Sequence, residues 1–157
     1  MVEMELTGVR VELPTNQPIV LLRERHGERY LPIWIGASEA AAIALSLQGV
    51  VTPRPMTHDL LKNILEDLAI AVERIVVTEL RDSTFYATIR MQRGTDSFEI
   101  SSRPSDAIAL AVRMATPIYA SEDVLDEASI LIPGDEEEEV EKFREFLDNV
   151  SPEDFES

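Results

Sequence analysis

The first 35 residues alternate between apolar and polar positions in three short runs, and each run predicts a strand. In the first run, over residues 2–13, the alternation changes phase at Gly8, so we expect a β-bulge there. The next strands are predicted at residues 19–22 and 31–35. Pro32 cannot donate to a sheet ladder, which places the third strand at an edge or at a bulge.

Two helices are predicted after these strands. In the first, over EAAAIALSLQ, Ser38 is the expected N-cap, Glu39 lies in the first turn and Gly49 ends the helix. Nearly every face of this helix is apolar, so we expect it to be buried. The second helix is expected to have Thr57 as its cap and to be amphipathic, with an apolar face formed by Leu60, Leu61, Ile64, Leu65 and Leu68.

The same order of elements then returns. Three strands are predicted at residues 72–80, 85–91 and 98–101, followed by a second buried helix over AIALAVRMA. Ser38-Glu39-Ala40 and Ser105-Asp106-Ala107 begin the two buried helices, with an offset of 67 residues. An internal duplication explains this order. Chance similarity between two alanine-rich helices is the alternative, because alanine and leucine are strong helix formers.

These elements predict the fold class and the domain organisation. We expect one α+β domain over residues 1–133, built from a duplicated three-strand-plus-buried-helix unit, with mixed or antiparallel sheets and helices packed on them. Short strands are expected around residue 118 and at residues 130–132. Residues 134–157 are predicted to form an acidic C-terminal helix and tail.

Composition removes several classes of function. The chain has 157 residues, enough for one domain, and no cysteine, which excludes disulfides, a thiol nucleophile and thiolate metal sites. No apolar run is long enough to span a membrane, and the N-terminus lacks the basic flank and apolar run of a signal peptide. We therefore expect a cytoplasmic protein that does not associate with membranes.

The net charge of −16 bears on nucleic-acid binding. From residue 135 onward there are 11 acids and two bases, which leaves a net charge of −7 for residues 1–134. Nonspecific binding to a phosphate backbone draws on clustered Lys and Arg, so this balance opposes it. A nucleic-acid substrate would need a local basic site or a bound cation.

Polar residues gather at the predicted helix starts, and they supply the candidate chemistry. Carboxylates there are candidates to hold Mg²⁺ or Mn²⁺, a histidine is a candidate for proton transfer, and arginines are candidates to bind phosphate. Arginine is mildly unfavourable at the positive end of a helix, so an arginine there points to an anion. The candidates are Glu39, Asp59 and Asp106 as catalytic carboxylates and metal ligands, His58 as a catalytic residue, and Arg54 and Arg103 as phosphate ligands.

A structural interpretation exists for each of these residues. A carboxylate in a first turn complements the helix dipole and the free N–H groups there, and a histidine at a helix start needs no function. The spacing alone does not show that these side chains meet in space.

Four runs, in this order and spacing, resemble the bifunctional nuclease family: LPIWIGASEAAAIALSL, RPMTHDLL, DSTFYATI and RPSDAIALAVRMATPIYASEDVL. The resemblance covers residues 1–133 and implies a duplicated, strand-rich α+β fold and cleavage of both RNA and DNA. The polar positions that match the family's motifs are Glu39, Arg54, Thr57, His58, Asp59, Asp82, Arg103, Ser105 and Asp106.

Two hypotheses of function follow. In the first, the protein is a nuclease that hydrolyses phosphodiester bonds of RNA and DNA with help from a divalent cation. In the second, it is a non-catalytic binding or regulatory module whose polar cluster is structural, with an ion pair between Arg103 and Glu39 joining the two repeats. An edge strand with apolar residues also predicts a homodimer or another homo-oligomer.

Overall fold

The computed structural model describes residues 1–12 and 16–132, and these contain eight strands and four helices. The predicted C-terminal helix, the end of the first predicted strand and most of the turn after it lie outside the described residues. In chain order the elements are β1 (Val2–Glu12), β2 (Gln17–Glu24), β3 (Arg29–Trp34), α1 (Ala37–Leu47), α2 (Thr57–Asp67), β4 (Ala71–Arg81), β5 (Thr84–Arg93), β6 (Asp96–Ser102), α3 (Pro104–Met114), β7 (Ile118–Ala120), α4 (Glu122–Ala128) and β8 (Ile130–Leu131).

The strands form one mixed sheet in the order β6-β5-β4-β7-β1-β2-β3-β8. Neighbouring strands are antiparallel except β4 and β7, which are parallel. The predicted α+β class, with helices packed on a mixed sheet, is confirmed.

The duplication is visible in the geometry. α3 begins and ends 67 residues after α1, and each helix follows a three-stranded antiparallel meander. Since β7 is antiparallel to β1 and parallel to β4, the first strands of the two meanders run in opposite directions on either side of β7. Two similar units therefore lie side by side with β7 between them.

Local irregularities in the first meander follow the sequence. The register of β1 against β2 shifts between Leu6 and Gly8, which confirms the predicted bulge. Pro32 pairs with Leu21 of β2, whereas β8 pairs with β3 only at Arg29 and Tyr30. No described strand pairs with β3 on its other side at Pro32, so its missing N–H costs no ladder bond.

The predicted helix caps are wrong. The N-cap residues of α1 and α2 are Gly36 and Met56, and neither helix has a side-chain cap. α1 begins two residues and α2 one residue earlier than the hydroxyl residues predict, because the last extended residue before each helix is Gly36 or Met56. Ser38 and Thr57 are consequently inside the first turn. Gly49 follows the C-cap of α1 at φ 69°, as expected for a helix stop.

The two alanine-rich helices differ in burial. α3 is buried along most of its length, as predicted, because it lies between α1, α2 and the β4–β5 ladder. In α1 only Ala40 and Ile43 are buried, so the prediction of a buried helix is wrong there. α1 contacts α3 on one side and β1 and β2 below, and the rest of its apolar surface has no described helix packed on it.

The amphipathic face of α2 is also mostly exposed. Leu65 packs into the core, whereas Leu60, Leu61, Ile64 and Leu68 remain exposed. The predicted apolar face is therefore buried only at Leu65.

The sheet has a hydrophobic cluster on each face. The large cluster lies between the sheet and the helices, and the smaller one consists of Ile19, Leu21, Tyr30, Trp34 and Ile132 on the opposite face of β2 and β3. None of the described helices is both long and apolar enough to cross a lipid bilayer.

Candidate functional site

The starts of α1 and α3 meet at Arg103. This residue is the N-cap of α3, and its backbone is extended because the residue before a proline avoids the helical conformation. Its guanidinium contacts Glu39 of α1, with 2.9 Å between Nη1 and Oε1. It also contacts Asp106 of α3, at 2.9 Å from Nε to Oδ2 and 3.2 Å from Nη2 to Oδ1.

Glu39 and Asp106 occupy equivalent positions in the two repeats, each the third residue of its helix. Arg103 therefore pairs with one carboxylate from each repeat. The contact between Arg103 and Glu39 is the one expected from a structural cluster, but the cluster is not closed, since 55% of the Arg103 side chain is exposed.

His58 approaches the same carboxylate from α2. Only 11% of its side chain is exposed, and Nε2 lies 3.0 Å from Asp106 Oδ1. Burial raises the pKa of Asp106, but the hydrogen bonds from Arg103 and His58 outweigh burial and hold that pKa below its ordinary value. An ionised Asp106 accepts a hydrogen bond from the N–H at Nε2, which leaves Nδ1 of His58 without a hydrogen bond to any described residue.

These side chains line an open pocket of about 290 Å³, together with Ser38, Ala42, Met56 and Thr57. We call it the helix-start pocket and define it by Glu39, His58, Arg103 and Asp106. Three elements separated by many residues in the chain contribute to it, so the structure brings together these four of the six candidate residues.

Asp59 faces a different pocket. That pocket is about 230 Å³ in volume and is also lined by Lys62 and Arg113. Asp59 Oδ1 accepts a hydrogen bond from Arg113 Nε at 2.7 Å, and Oδ2 accepts one from the backbone N–H of Met56 at 3.0 Å. The Arg113 guanidinium, followed by the Met56 N–H, holds the pKa of Asp59 below its ordinary value.

Arg113 is the residue that the sequence analysis missed. Only 5% of its side chain is exposed, and besides Asp59 it donates to the backbone carbonyls of Ala42 in α1 and Ala109 in α3, each at 2.9 Å. One guanidinium thus joins three helices. The sequence signal was a single arginine in the apolar run AIALAVRMA, where a cation in the last helical turn already has a local explanation.

The remaining motif positions lie outside the helix-start pocket. Arg54 is exposed in the loop before α2, and no ion pair joins it to another described residue. Asp82 is in the turn between β4 and β5 at φ 52°, and Ser105 is buried in the first turn of α3.

The carboxylates that the sequence analysis assigns to Mg²⁺ or Mn²⁺ do not fit a divalent cation in this arrangement. Among the described residues there is no group of three or more His, Asp or Glu side chains placed to hold a metal ion. Both oxygens of Asp59 already accept hydrogen bonds, and Glu39 and Asp106 are paired with Arg103, whose charge would repel a cation. We therefore assign no catalytic step to a metal.

The ion pairs of Asp106 predict a pH dependence of stability. Because the folded-state pKa lies below the reference value of 3.8, ionised Asp106 stabilises the fold above pH 3.8, and this contribution is lost as the pH falls through the folded-state pKa. An Asp106→Asn variant should unfold with about 1 kcal/mol less free energy at neutral pH, and the difference should shrink below pH 3.8. Urea denaturation of both proteins across this range measures it.

Asp96→Asn is the matched control, since Asp96 is exposed and makes no ion pair with a described residue. Its stability should follow that of the wild type at every pH. A difference between Asp106→Asn and the wild type that stays constant down to the lowest pH would contradict the assigned ion pairs.

The amino-acid sequence of this chain is similar to a protein-family model and to several known proteins. The family model described as "Bifunctional nuclease domain" matches residues 20–133. An uncharacterized protein of Mycobacterium tuberculosis is 49% identical over 98% of this chain and 97% of its own length. Bifunctional nuclease 1 of Oryza sativa subsp. japonica is 25% identical over 68% of this chain and 33% of its own length, and bifunctional nuclease 2 of the same plant is 26% identical over 71% and 35%. This chain therefore matches about a third of each rice protein.

Proposed function

Because the chain belongs to the bifunctional nuclease domain family, we propose that it hydrolyses phosphodiester bonds of RNA and DNA in the helix-start pocket. The observation that carries the proposal is the convergence of a buried histidine, an ionised aspartate and a half-exposed arginine in one open pocket. The reaction is inferred from the family name and from the names of the rice relatives. The pocket contains side chains that suit this reaction.

Arg103 is the group that suits a phosphate. A guanidinium has five N–H donors, and three of those on Arg103 are used by Glu39 and Asp106. The other donors have no partner among the described residues, more than half of the side chain is exposed, and the two carboxylates hold the guanidinium in place. A phosphodiester bound there would meet a positioned cation in a chain that is otherwise acidic.

His58 is the group that suits proton transfer. Asp106 holds Nε2, which fixes the orientation of the ring and leaves Nδ1 as the nitrogen that can accept a proton. Since DNA has no 2′-hydroxyl, the attacking group common to both substrates is water. His58 would take a proton from that water as its oxygen bonds to phosphorus. The bond from phosphorus to the leaving oxygen would break with its electron pair on that oxygen, which would then take a proton from solvent.

The test is cleavage of fluorescent single-stranded RNA and DNA by purified protein, with Arg103→Gln prepared in parallel. We expect the wild type to cleave both strands and Arg103→Gln to be slower by about 10²–10³-fold, because it lacks the charge that faces the phosphate. Parallel reactions in Mg²⁺, Mn²⁺ and EDTA decide whether a cation takes part.

Arg93→Gln is the matched control, since Arg93 is exposed at the end of β5 and makes no ion pair with a described residue. It should cleave at the wild-type rate. Equal rates for the wild type, Arg103→Gln and Arg93→Gln would place the activity outside the helix-start pocket.

A non-catalytic binding or regulatory module is the second candidate. It is favoured by the pairing of Arg103 with one carboxylate from each repeat, an arrangement that fastens the two units together without a substrate. Under this interpretation purified protein cleaves neither strand, and Arg103→Gln lowers the thermal midpoint.

A further inference from the structure

A small apolar cluster lies on the face of the sheet that no described helix covers. We call it the Trp34 cluster, and it consists of Ile19, Leu21, Tyr30, Trp34 and Ile132. The buried apolar side chains of all four described helices belong to the large cluster on the other face. Ile130 is the only other apolar side chain of the described residues that packs against the Trp34 cluster. On a bare sheet these side chains would face water.

The Trp34 cluster is nevertheless protected from water. Ile19 is fully buried, and Leu21 and Trp34 are 4% and 3% exposed. Strands of one sheet lie side by side, so side chains that point out of the sheet are covered only by a layer above it. A further part of the protein therefore lies over β2 and β3.

The described part of the chain ends inside this cluster. Ile132 is the last described residue, and residues 133–157 follow it. The seven residues up to 139 can reach about 23 Å when extended, and a helix over residues 140–150 would be about 16 Å long. Since β1 and β3 are about 10 Å apart, this segment is long enough to cross the cluster. The other residues outside the described ranges, 13–15, are too few to do so.

The sequence of this C-terminal segment contains a matching apolar row. Val140, Phe143, Leu147 and Val150 recur at intervals of three and four residues, which places them on one face of the predicted helix. Most of the residues between them are charged, and residues 135–157 carry a net charge of −9. The segment therefore combines an apolar face with flanking negative charge.

Two arginines beside the Trp34 cluster complement that charge. Arg10 lies opposite Ile19 in the ladder of β1 and β2, and Arg23 lies opposite Tyr30 and stacks on its ring at 5.7 Å. Residues directly opposite each other on neighbouring strands share a face, so both arginines lie on the face of the cluster. Neither arginine makes an ion pair with a carboxylate of the described residues.

We propose that residues 133–157 of the same chain lie across β2 and β3 and cover the Trp34 cluster. The apolar row faces the cluster, and the acidic residues beside the row lie within reach of Arg10 and Arg23. The C-terminal segment is then a layer of the domain. Its net charge of −9 is held on the face of the sheet away from the helix-start pocket.

Tryptophan fluorescence of the full chain tests this proposal, because Trp34 is the only tryptophan. Phe143→Ser removes the centre of the apolar row, and Phe155→Ser is the matched control, since Phe155 lies outside the row and beyond Pro152. The acrylamide quenching constant of Trp34 should rise about threefold in Phe143→Ser, because a covered side chain meets the quencher only when its cover opens. It should keep the wild-type value in Phe155→Ser. Thermal unfolding confirms that both variants are folded.

Photocrosslinking identifies what the segment contacts. A photoreactive residue replaces Leu147 in the full chain, and isotope-labelled and unlabelled chains are mixed before irradiation. We expect crosslinks from position 147 to β2 or β3 of the same chain, and no product that joins a labelled chain to an unlabelled one.

Three results would overturn the proposal. Equal quenching in the wild type, Phe143→Ser and Phe155→Ser would show that the apolar row does not cover Trp34. Crosslinks that join labelled and unlabelled chains would assign the cover to a second copy. Crosslinks that reach neither β2 nor β3 would place the segment elsewhere. If Phe143→Ser fails to fold, the crosslinks from position 147 decide.

Discussion

A His58→Gln variant is expected to keep its fold and to lose cleavage activity by about 10²–10⁴-fold. Glutamine keeps a side-chain N–H that can donate to Asp106, and it fills much of the space of the imidazole, so the contact between α2 and α3 is largely retained. It cannot take up a proton at neutral pH, so the group proposed to activate water is removed. Single-turnover cleavage of the fluorescent strands, beside thermal unfolding, measures both properties.

The second histidine of the chain provides the control. His26 lies exposed in the turn between β2 and β3, outside the helix-start pocket. His26→Gln should cleave at the wild-type rate. If the two histidine variants cleave equally well, His58 takes no part in the reaction; if His58→Gln is unfolded, the histidine is structural.

An Arg113→Met variant is expected to lose more stability than Asp106→Asn or Arg93→Met. Methionine fills the space of the arginine stem but removes the guanidinium donor from Asp59 and from the carbonyls of Ala42 and Ala109. Loss of one member of a buried ion pair leaves uncompensated polar groups. Since the Asp59 side chain is 37% exposed and partly rehydrates, we expect a loss of about 2–3 kcal/mol, or about 5–10 °C in Tm.

Arg93→Met is the control, because it removes the same charge from an exposed position. Its Tm should lie within about 2 °C of the wild type. Equal losses in the two variants would mean that net charge, and not the junction of three helices, causes the effect. Asp59→Asn should also destabilise the fold, because it weakens the only carboxylate partner that the described residues give Arg113.

The sequence predicts the elements of this fold well because they depend on local patterns. Alternation over β4 and β5 reports on one buried face, and the phase change at Gly8 reports on a bulge in β1. Whether a whole helix is buried depends on the elements that pack against it, and the apolar pattern of the helix itself does not reveal them. α1 and α3 have similar sequences, but only α3 has helices packed on both sides. The short helix α4 was missed because it lies between two strands of only two or three residues.

The candidate site could also be predicted from the sequence only in part. Glu39, His58, Arg103 and Asp106 could be selected from sequence because each lies at a helix start, where an arginine or histidine is unusual. That Asp59, the direct neighbour of His58, faces a different pocket could not be predicted, since adjacent residues on a helix point about 100° apart. The contacts of Arg113 span 54 and 71 residues, and no local pattern contains them.

The position of β7 means that one partner strand of β1 is synthesised long after β1 itself. β1 has β2 on one side and β7 on the other, so one edge of the first meander stays open until residues 118–120 have been synthesised. The pairing of Val2 with Ala120 closes a loop of nearly the whole described chain, and contacts so distant in sequence form late. A chain that stops before β7 would therefore leave that edge of β1 unpaired and open to pairing with another chain.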